Sequence, residues 1–279
     1  MVERVLVTGA GGLLGGVVTK LYSDRGVHVD AFDHASLDVT DPDGVHSAIE
    51  ASRPDVIVHC ASMTNVDACE EHPGAAFAIN GDGSHNVASA ASHIGASVIA
   101  ISTDYVFNGS SGPYSESDET DPIQVYGESK LAGEHAVREA TERHFIVRSA
   151  WIYGPGGKNF ISKIPEHVTQ DEIPGVVDQI GSPTYAPDLA EAIALLAETD
   201  RFGTYHVVNS GFCTFAELMS YGLRFLRAKT RVNEVEVASL GRPAPRPLDT
   251  RLVSQAWERA GFAPLRPWQQ GVESFLSGR

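Results

Sequence analysis

The sequence predicts an α/β fold: a doubly wound parallel sheet followed by a smaller, mixed α/β C-terminal region. Three observations carry this expectation. Strand-like and helix-like segments alternate through the first half, the pattern of a parallel sheet wrapped by helices. A glycine-rich turn, Gly9-Ala-Gly-Gly-Leu-Leu-Gly15, lies between the first strand and the first helix. A tyrosine and a lysine four positions apart, Tyr126 and Lys130, open the helix that follows the fourth strand.

Taken in order, Arg4–Thr8 reads as a buried strand, Leu13–Asp24 as a helix and Val27–Phe32 as a second strand. Pro42–Ser52 is helical and Asp55–His59 is the third strand. An Ala-rich helix is expected over Ala75–Ile94, a fourth strand over Ser97–Ser102, a helix over Tyr126–Arg143 and a fifth strand over Phe145–Ser149. This Rossmann pattern is nearly complete by residue 150. The second half is less regular. Short strands are expected at Val176–Asp178 and Thr204–Val208, with helices at Asp188–Glu198, Phe215–Leu226, Thr250–Ala260 and Trp268–Leu276. Gly241–Pro247 carries three prolines and two arginines and reads as a stiff loop. The expected division is a dinucleotide-binding domain over 1–150. Residues 151–279 would be mainly a substrate-binding lid over the carboxyl edge of the sheet, with some segments returning to the first domain.

Composition excludes several classes. The chain has 279 residues, 42% of them hydrophobic, enough for one large domain or a large and a small one. A net charge of −15 argues against a nucleic-acid partner. Cys60, Cys69 and Cys213 form no C-x-x-C pair, which argues against a disulfide framework or thiolate zinc site. The histidines form no paired helical motif, so no metal site is expected from the residues. The N-terminus enters a strand directly, and no apolar run is long enough to cross a bilayer, so a cytoplasmic protein without a membrane partner is expected.

The glycine turn has the spacing G-x-x-G-x-x-G, in the strand-to-helix setting where such a motif carries meaning. Gly9, Gly12 and Gly15 would let a pyrophosphate approach the helix N-terminus, where free N–H groups and the helix dipole favour anions. Asp33 ends the second strand about 20 residues further on, where a carboxylate can accept the adenosine-ribose hydroxyls and repel a 2′-phosphate. The reading favours NADH, with NADPH as the alternative, because a strand-end Asp also serves as a cap. Asp38 and Val39 are placed to meet adenine or to form a turn. Ala61, Ser62, Met63 and Thr64 leave the third strand towards the edge where dinucleotides lie.

Tyr126 and Lys130 share one helix face. The lysine charge is expected to lower the phenol pKa, and the phenol to protonate a carbonyl as hydride arrives. Ser102-Thr103 offers a hydroxyl to the same carbonyl. Trp151 follows the fifth strand directly and can stack on a sugar or base, or fill the junction core.

The stretches Ser102-Thr-Asp-Tyr-Val-Phe-Asn-Gly109 and Val125-Tyr-Gly-Glu-Ser-Lys-Leu-Ala-Gly-Glu134 resemble the extended short-chain dehydrogenase/reductases, and among them the dTDP-4-dehydrorhamnose reductase family. Arg53-Pro-Asp-Val-Ile-Val58, Thr64-Asn-Val-Asp67, Arg148-Ser-Ala-Trp-Ile-Tyr-Gly154, Asn159-Phe160 and Asp178-Gln-Ile-Gly-Ser-Pro-Thr184 agree, so the resemblance spans essentially the whole chain. It implies Thr103, Tyr126 and Lys130 as the catalytic set. It implies Gly12, Leu13, Leu14, Asp38, Val39, Ser62, Met63 and Thr64 around the cofactor, and Thr103, Asp104 and Trp151 against the sugar nucleotide. The reaction implied is reduction of the 4-keto group of dTDP-4-dehydro-L-rhamnose; a homodimer and Mg²⁺ dependence are family traits. One departure stands out. The family's late loop reads R-P-x-x-S-x-L-D, whereas here Arg242-Pro-Ala-Pro-Arg246-Pro-Leu-Asp249 has an arginine for the serine. Arg242 and Arg246 suit a nucleotide diphosphate or a solvated loop equally. Two other readings stand beside the reductase. One is an epimerase or dehydratase of the same superfamily, although the dehydratase Thr-Asp-Glu is Thr103-Asp104-Tyr105 here. The other is a non-catalytic subunit similar to the regulatory β-subunit of methionine adenosyltransferase.

Overall fold

A computed structural model describes residues 2–157 and 159–278. Among these residues, six strands form one sheet: β1 (Arg4–Thr8), β2 (His28–Phe32), β3 (Val56–His59), β4 (Ser97–Thr103), β5 (His144–Ser149) and β6 (Gly203–His206). Their order is β6-β5-β4-β3-β1-β2, and every neighbouring pair is parallel. The helices are α1 (Leu13–Asp24), α2 (Pro42–Ser52), α3 (Val66–Glu71), α4 (Pro73–Phe77), α5 (Gly83–Ile94), α6 (Val125–Ala140), α7 (Ala186–Ala197), α8 (Phe215–Phe225), α9 (Gln255–Arg259) and α10 (Trp268–Ser277). Val5-Leu6-Val7 and Val56-Ile57-Val58 are fully buried, because helices cover both faces of the sheet. Residues of α1 and α7 pack on one face; residues of α2, α5 and α6 pack on the other. The chain turns from β1 to β2 on one side and to β3 on the other. That switch point opens a crevice at the carboxyl ends of the strands, directly above the glycine turn.

The sixth strand comes from beyond residue 150, and α7 lies against α1, so part of the second half belongs to the sheet layer. The remainder has its own apolar core, in which Tyr153, Ile161, Ile164, Leu218, Trp268 and Phe275 meet. No helix among the described residues is long and apolar enough to cross a membrane.

Three elements differ from expectation. The Ala75–Ile94 helix is interrupted: α4 gives way to a π-turn over Ala78–Asp82 before α5 begins. The interrupting Asn80-Gly-Asp-Gly83 is poor helix former, and the Asn80 side chain is committed elsewhere. Only Gln255–Arg259 of the expected Thr250–Ala260 helix forms. The backbone before it is held extended: Tyr114 N–H donates to Arg251 O at 2.7 Å, and Val253 N–H donates to Tyr114 O at 2.8 Å. The strand expected at Val176–Asp178 lies earlier, at Glu172–Val176, where it pairs in parallel with Arg231–Val235.

One buried polar group fixes α6 on the sheet. Glu134 is 2% exposed. Its Oε1 accepts from Ser102 Oγ on β4 at 2.6 Å and from Arg148 Nε on β5 at 2.8 Å. Its Oε2 accepts from Arg148 Nη2 at 2.7 Å and from Arg138 Nη2 at 2.9 Å. Burial pushes the carboxyl up, but the Arg148, Ser102 and Arg138 donors hold it below the ordinary glutamate range. Its stabilising effect is therefore present at neutral pH and is lost as acidification protonates the group. Glu134→Ala leaves Arg148 buried and without its partner, and chemical denaturation should show a loss of roughly 3–5 kcal/mol. A loss below about 1 kcal/mol would contradict this assignment.

Candidate active site

At the switch point the glycine turn is packed as tightly as backbone allows. Gly9 has φ +67°, and a Cβ there would lie 2.6 Å from Ala61 N. A Cβ on Gly15 would collide with the Gly9 carbonyl. Gly12 N–H donates to Gly9 O at 2.9 Å, closing the turn. Helix α1 then starts without a side-chain cap and without an acidic residue in its first turn. Its positive end is left for an external anion, which suits a dinucleotide pyrophosphate. Gly9, Gly12, Leu13, Leu14 and Gly15 line one end of a cleft of about 540 Å³.

The other cofactor candidates are arranged around this end. Asp33 directly follows β2 beside the turn, with its Cβ 3.2 Å from where a Cβ on Gly11 would stand. Asp33 Oδ1 accepts from Ser36 Oγ at 2.7 Å, Ser36 N at 2.9 Å and Ala35 N at 3.1 Å; Oδ2 takes none of these bonds. Those bonds, Ser36 foremost, hold the carboxyl below its usual value. Asp38 Oδ1 accepts from Thr40 N and Oγ1, and the buried Val39 presents its carbonyl to Asn86 Nδ2 at 3.0 Å. Ser62 and Thr64 line the cleft; Asp33, Asp38, Val39, Ala61 and Met63 are not brought into its lining.

The chemical end is built by the junction of β4 and α6. Gln124 caps the helix, its Oε1 accepting from Gly127 N at 2.7 Å. Gly127 is pressed against the Tyr105 carbonyl so closely that any Cβ would overlap it. This contact places Tyr126 against Thr103-Asp104-Tyr105, and its ring meets Tyr105 edge-on at 6.0 Å. Thr103, Asp104, Tyr126 and Lys130 all line the same cleft as the glycine turn. Ser102 does not offer its hydroxyl there, since it donates to Glu134.

Burial raises the Tyr126 phenol above its usual pKa; the facing Thr103 hydroxyl opposes this, while Asp104, Cys69 and Tyr105 add to it. The lowering expected from Lys130 is not seen. Lys130 is itself pushed down to about 8 by burial, against the pull of Glu134 and of Cys60 and Cys69. The resting site thus holds a neutral phenol beside an ammonium that loses its proton in the mildly alkaline range.

Asn80, which sequence reasoning missed, stitches the two ends together. The fully buried amide accepts from Ser62 Oγ and Met63 N, each at 2.8 Å, and donates to Met63 O at 3.1 Å and Ser129 Oγ at 2.9 Å. It joins the β3 exit to the residue before Lys130. The Asn-Gly-Asp-Gly break in an Ala-rich helix was the available signal, because π-turns cluster at functional sites.

The far wall is aromatic. Trp151 adopts φ +46°, stacks on Phe215 at 3.8 Å and meets Phe160 edge-on. Its buried indole N–H has no protein partner. Phe215, also missed, lines the cleft with Trp151 and Phe160. The late loop is not brought into this lining. Arg246 Nη2 pairs with Asp67 at 2.9 Å, Nη1 donates to Ala244 O at 2.8 Å, and only 7% of the side chain is exposed. The expected exposed loop arginine is instead a buried tie between the loop and the start of α3. Arg242 is exposed, close enough to Asp67 to act on it electrostatically. No group of three or more His, Cys, Asp or Glu among the described residues is placed to hold a metal ion.

The model of the family described as RmlD substrate binding domain matches residues 3–278. The chain belongs to the RmlD family. It is 43% identical to a dTDP-4-dehydrorhamnose reductase of Streptomyces griseus over 99% of this chain and 95% of that one. It is 38% identical to a dTDP-4-keto-6-deoxy-D-glucose reductase of Streptomyces niveus, over 96% of this chain and 94% of that one. Among solved structures it is similar to the dTDP-4-dehydrorhamnose reductase of Bacillus anthracis in complex with NADP, with TM-score 0.97, 37% identity and full coverage of both chains.

The Arg246–Asp67 tie is specific to the arginine at a position where the RmlD pattern noted above has serine. In a double-mutant cycle of Arg246→Ser and Asp67→Asn, stability changes should couple by about 0.5–3 kcal/mol. Additive effects would show that the pair does not hold the loop.

Proposed function

We propose that the protein is a nicotinamide-dependent 4-ketoreductase of nucleotide-linked 6-deoxyhexoses, acting on dTDP-4-dehydro-L-rhamnose to give dTDP-L-rhamnose. The observation that carries the reading is the convergence of Thr103, Tyr126 and Lys130 with an uncapped, glycine-lined helix N-terminus in a single cleft. The names of the full-length relatives support the substrate class. The dTDP-4-keto-6-deoxy-D-glucose reductase among them keeps an isomeric 4-keto sugar as the competing substrate.

A nicotinamide dinucleotide held by its pyrophosphate at Gly9, Gly12 and Gly15 would supply hydride for the sugar carbonyl carbon. Tyr126, kept neutral by burial, gives its proton to the carbonyl oxygen as negative charge develops there. Thr103 directs its hydroxyl at the same region and stabilises that charge. Lys130, charged below about pH 8, steadies the cofactor ribose and the phenolate left behind. Trp151, Phe160 and Phe215 form a wall against which the nucleotide base or sugar stacks. Tyr105 occupies the position of the dehydratase glutamate; its hydroxyl accepts from Gln179 Nε2 at 3.1 Å, and burial pushes its pKa up to about 12. It supplies no base for C5, which favours reduction over 4,6-dehydration. Cytoplasmic location and a homodimer follow as expectations of the same reading.

Tyr126→Phe keeps the ring and removes the proton. Steady-state assays with a dTDP-4-keto-6-deoxyhexose should show kcat reduced roughly 10²–10⁴-fold with little change in cofactor Kd. Activity within about threefold of wild type would remove Tyr126 from the chemistry.

The cofactor preference rests on Asp33, whose Oδ2 is left for the ribose hydroxyls while Oδ1 caps its own turn. NADH is the expected cofactor, although the Bacillus anthracis relative holds NADP. Wild-type kcat/KM should be higher with NADH, and Asp33→Ala should narrow or reverse the ratio. A wild-type ratio favouring NADPH would overturn the assignment.

A further inference from the structure

Asp104 is a buried carboxyl with no cation beside it. It is 3% exposed; its side-chain partners are hydroxyls, and the N–H groups of Asp104 and Tyr105 also bond it. Thr103 Oγ1 lies 3.1 Å from Oδ1, and Thr250 Oγ1, from the late segment, bonds Oδ2. The titratable groups that face it are Tyr105 on its own turn and Tyr126 on α6. A carboxylate in such surroundings takes up a proton rather than stay ionised and unpaired. Burial pushes Asp104 up to about 7 against the opposing bonds from Thr250 and Thr103.

The protonation state of Asp104 decides which way the Thr103 hydroxyl points. A threonine hydroxyl has one hydrogen and two lone pairs. One lone pair accepts from Tyr105 N–H at 3.2 Å. When Asp104 is ionised, the Thr103 hydrogen is drawn to the carboxylate and none is left for the active-site side. When Asp104 is protonated, it donates to the second lone pair and frees the Thr103 hydrogen for the Tyr126 phenol, which the Thr103 side chain faces across the cleft that both line.

We propose that Asp104 restores the proton of Tyr126 after each reduction by relaying it through the Thr103 hydroxyl. The role rests on the reductase reading above. The Tyr126 O–H bond breaks as its proton passes to the sugar oxygen, leaving a phenolate. The Thr103 O–H bond breaks and its proton passes to that phenolate, while the Asp104 O–H bond breaks and replaces the proton on Thr103. The resulting Asp104 carboxylate takes a proton from solvent when product leaves the cleft, which Asp104 lines. Hydride transfer from the cofactor remains the only redox event. Asp104 acts through Thr103 and is a proton-positioning residue.

The test has two arms. In the first, the ligand-free protein labelled with ¹³C at aspartate carboxyls is titrated by NMR. One carboxyl resonance should titrate near pH 7 and be missing from Asp104→Asn; titration of that carboxyl in the ordinary aspartate range would overturn the proposal. In the second, kcat is followed against pH with saturating nicotinamide cofactor and dTDP-4-dehydro-L-rhamnose. Wild-type kcat should fall as pH rises through about 7. Asp104→Asn should lose on the order of 10²-fold in kcat and lose the fall near pH 7, keeping only the fall near 8 that belongs to Lys130, with KM changed less than about threefold. Thr250→Val removes a bond that favours the carboxylate, so it should move the fall near pH 7 up by about half a pH unit or more, an effect that a structural role would not produce. A fall near pH 7 retained in Asp104→Asn, or a rise in KM with kcat unchanged, would overturn the relay and leave Asp104 as a sugar contact. If the wild type reduces neither this sugar nor its dTDP-4-keto-6-deoxyglucose isomer, the reductase reading falls and the relay falls with it. The NMR arm still reports separately whether Asp104 holds a proton at neutral pH.

Discussion

Tyr126, Lys130 and Glu134 lie at successive four-residue steps along one face of α6, and the third of them is the anchor for the other two. Glu134 reaches the ends of β4 and β5 at once, through Ser102 and Arg148. A carboxylate buried this deeply is tolerated only because every oxygen is matched by donors fixed on the sheet. The rotation and height of α6 are thereby set from below. The Gly127 contact with the Tyr105 carbonyl sets them from above. Between these two constraints the phenol and the ammonium have little freedom, and the preorganisation that acid catalysis needs is supplied by the sheet itself.

The cleft is assembled by polar stitches that apolar packing would not provide. Asn80 ties the β3 exit to Ser129, His59 joins Thr8 on β1 to Ser84 on α5, and Gln179 links Tyr105 to the late loop at Pro247. Burial pushes His59 down to about 3, so this last sheet-to-helix link is made by a neutral ring at working pH. Each stitch joins segments distant in sequence, and each ends within a residue or two of a group that lines the cleft. The floor and walls are therefore rigid. The late loop is fastened to that floor by an ion pair, and Trp151 is held to the C-terminal core by a stacked ring.

Much of this was legible in the sequence. The parallel sheet followed from alternating apolar runs and helix patterns, and the bounds of α1 and α2 matched because Gly12 and Asp41-Pro42 are clear start signals. The convergence of the glycine turn with Tyr126 and Lys130 followed from their places after β1 and β4. What could not be read were features that depend on tertiary contacts. The π-turn needs partners for Asn80 that lie 17 and 49 positions away. The short helix at Gln255–Arg259 reflects competition from Tyr114, which captures the preceding backbone as an extended bridge. The role of Glu134 was invisible because a helical glutamate is ordinarily solvated. Arg246 gave the opposite difficulty: its charge suggested a ligand, whereas the fold had already provided Asp67.

The central claim is that this cleft delivers hydride to C4 of a nucleotide-linked keto sugar and releases the spent cofactor. The direct measurement uses nicotinamide cofactor deuterated at the transferable position, with dTDP-4-dehydro-L-rhamnose and NMR of the released sugar nucleotide. The account predicts one deuterium at C4 of the product and one oxidised cofactor released per sugar reduced. Product formed without net cofactor oxidation, or without deuterium at C4, would contradict it.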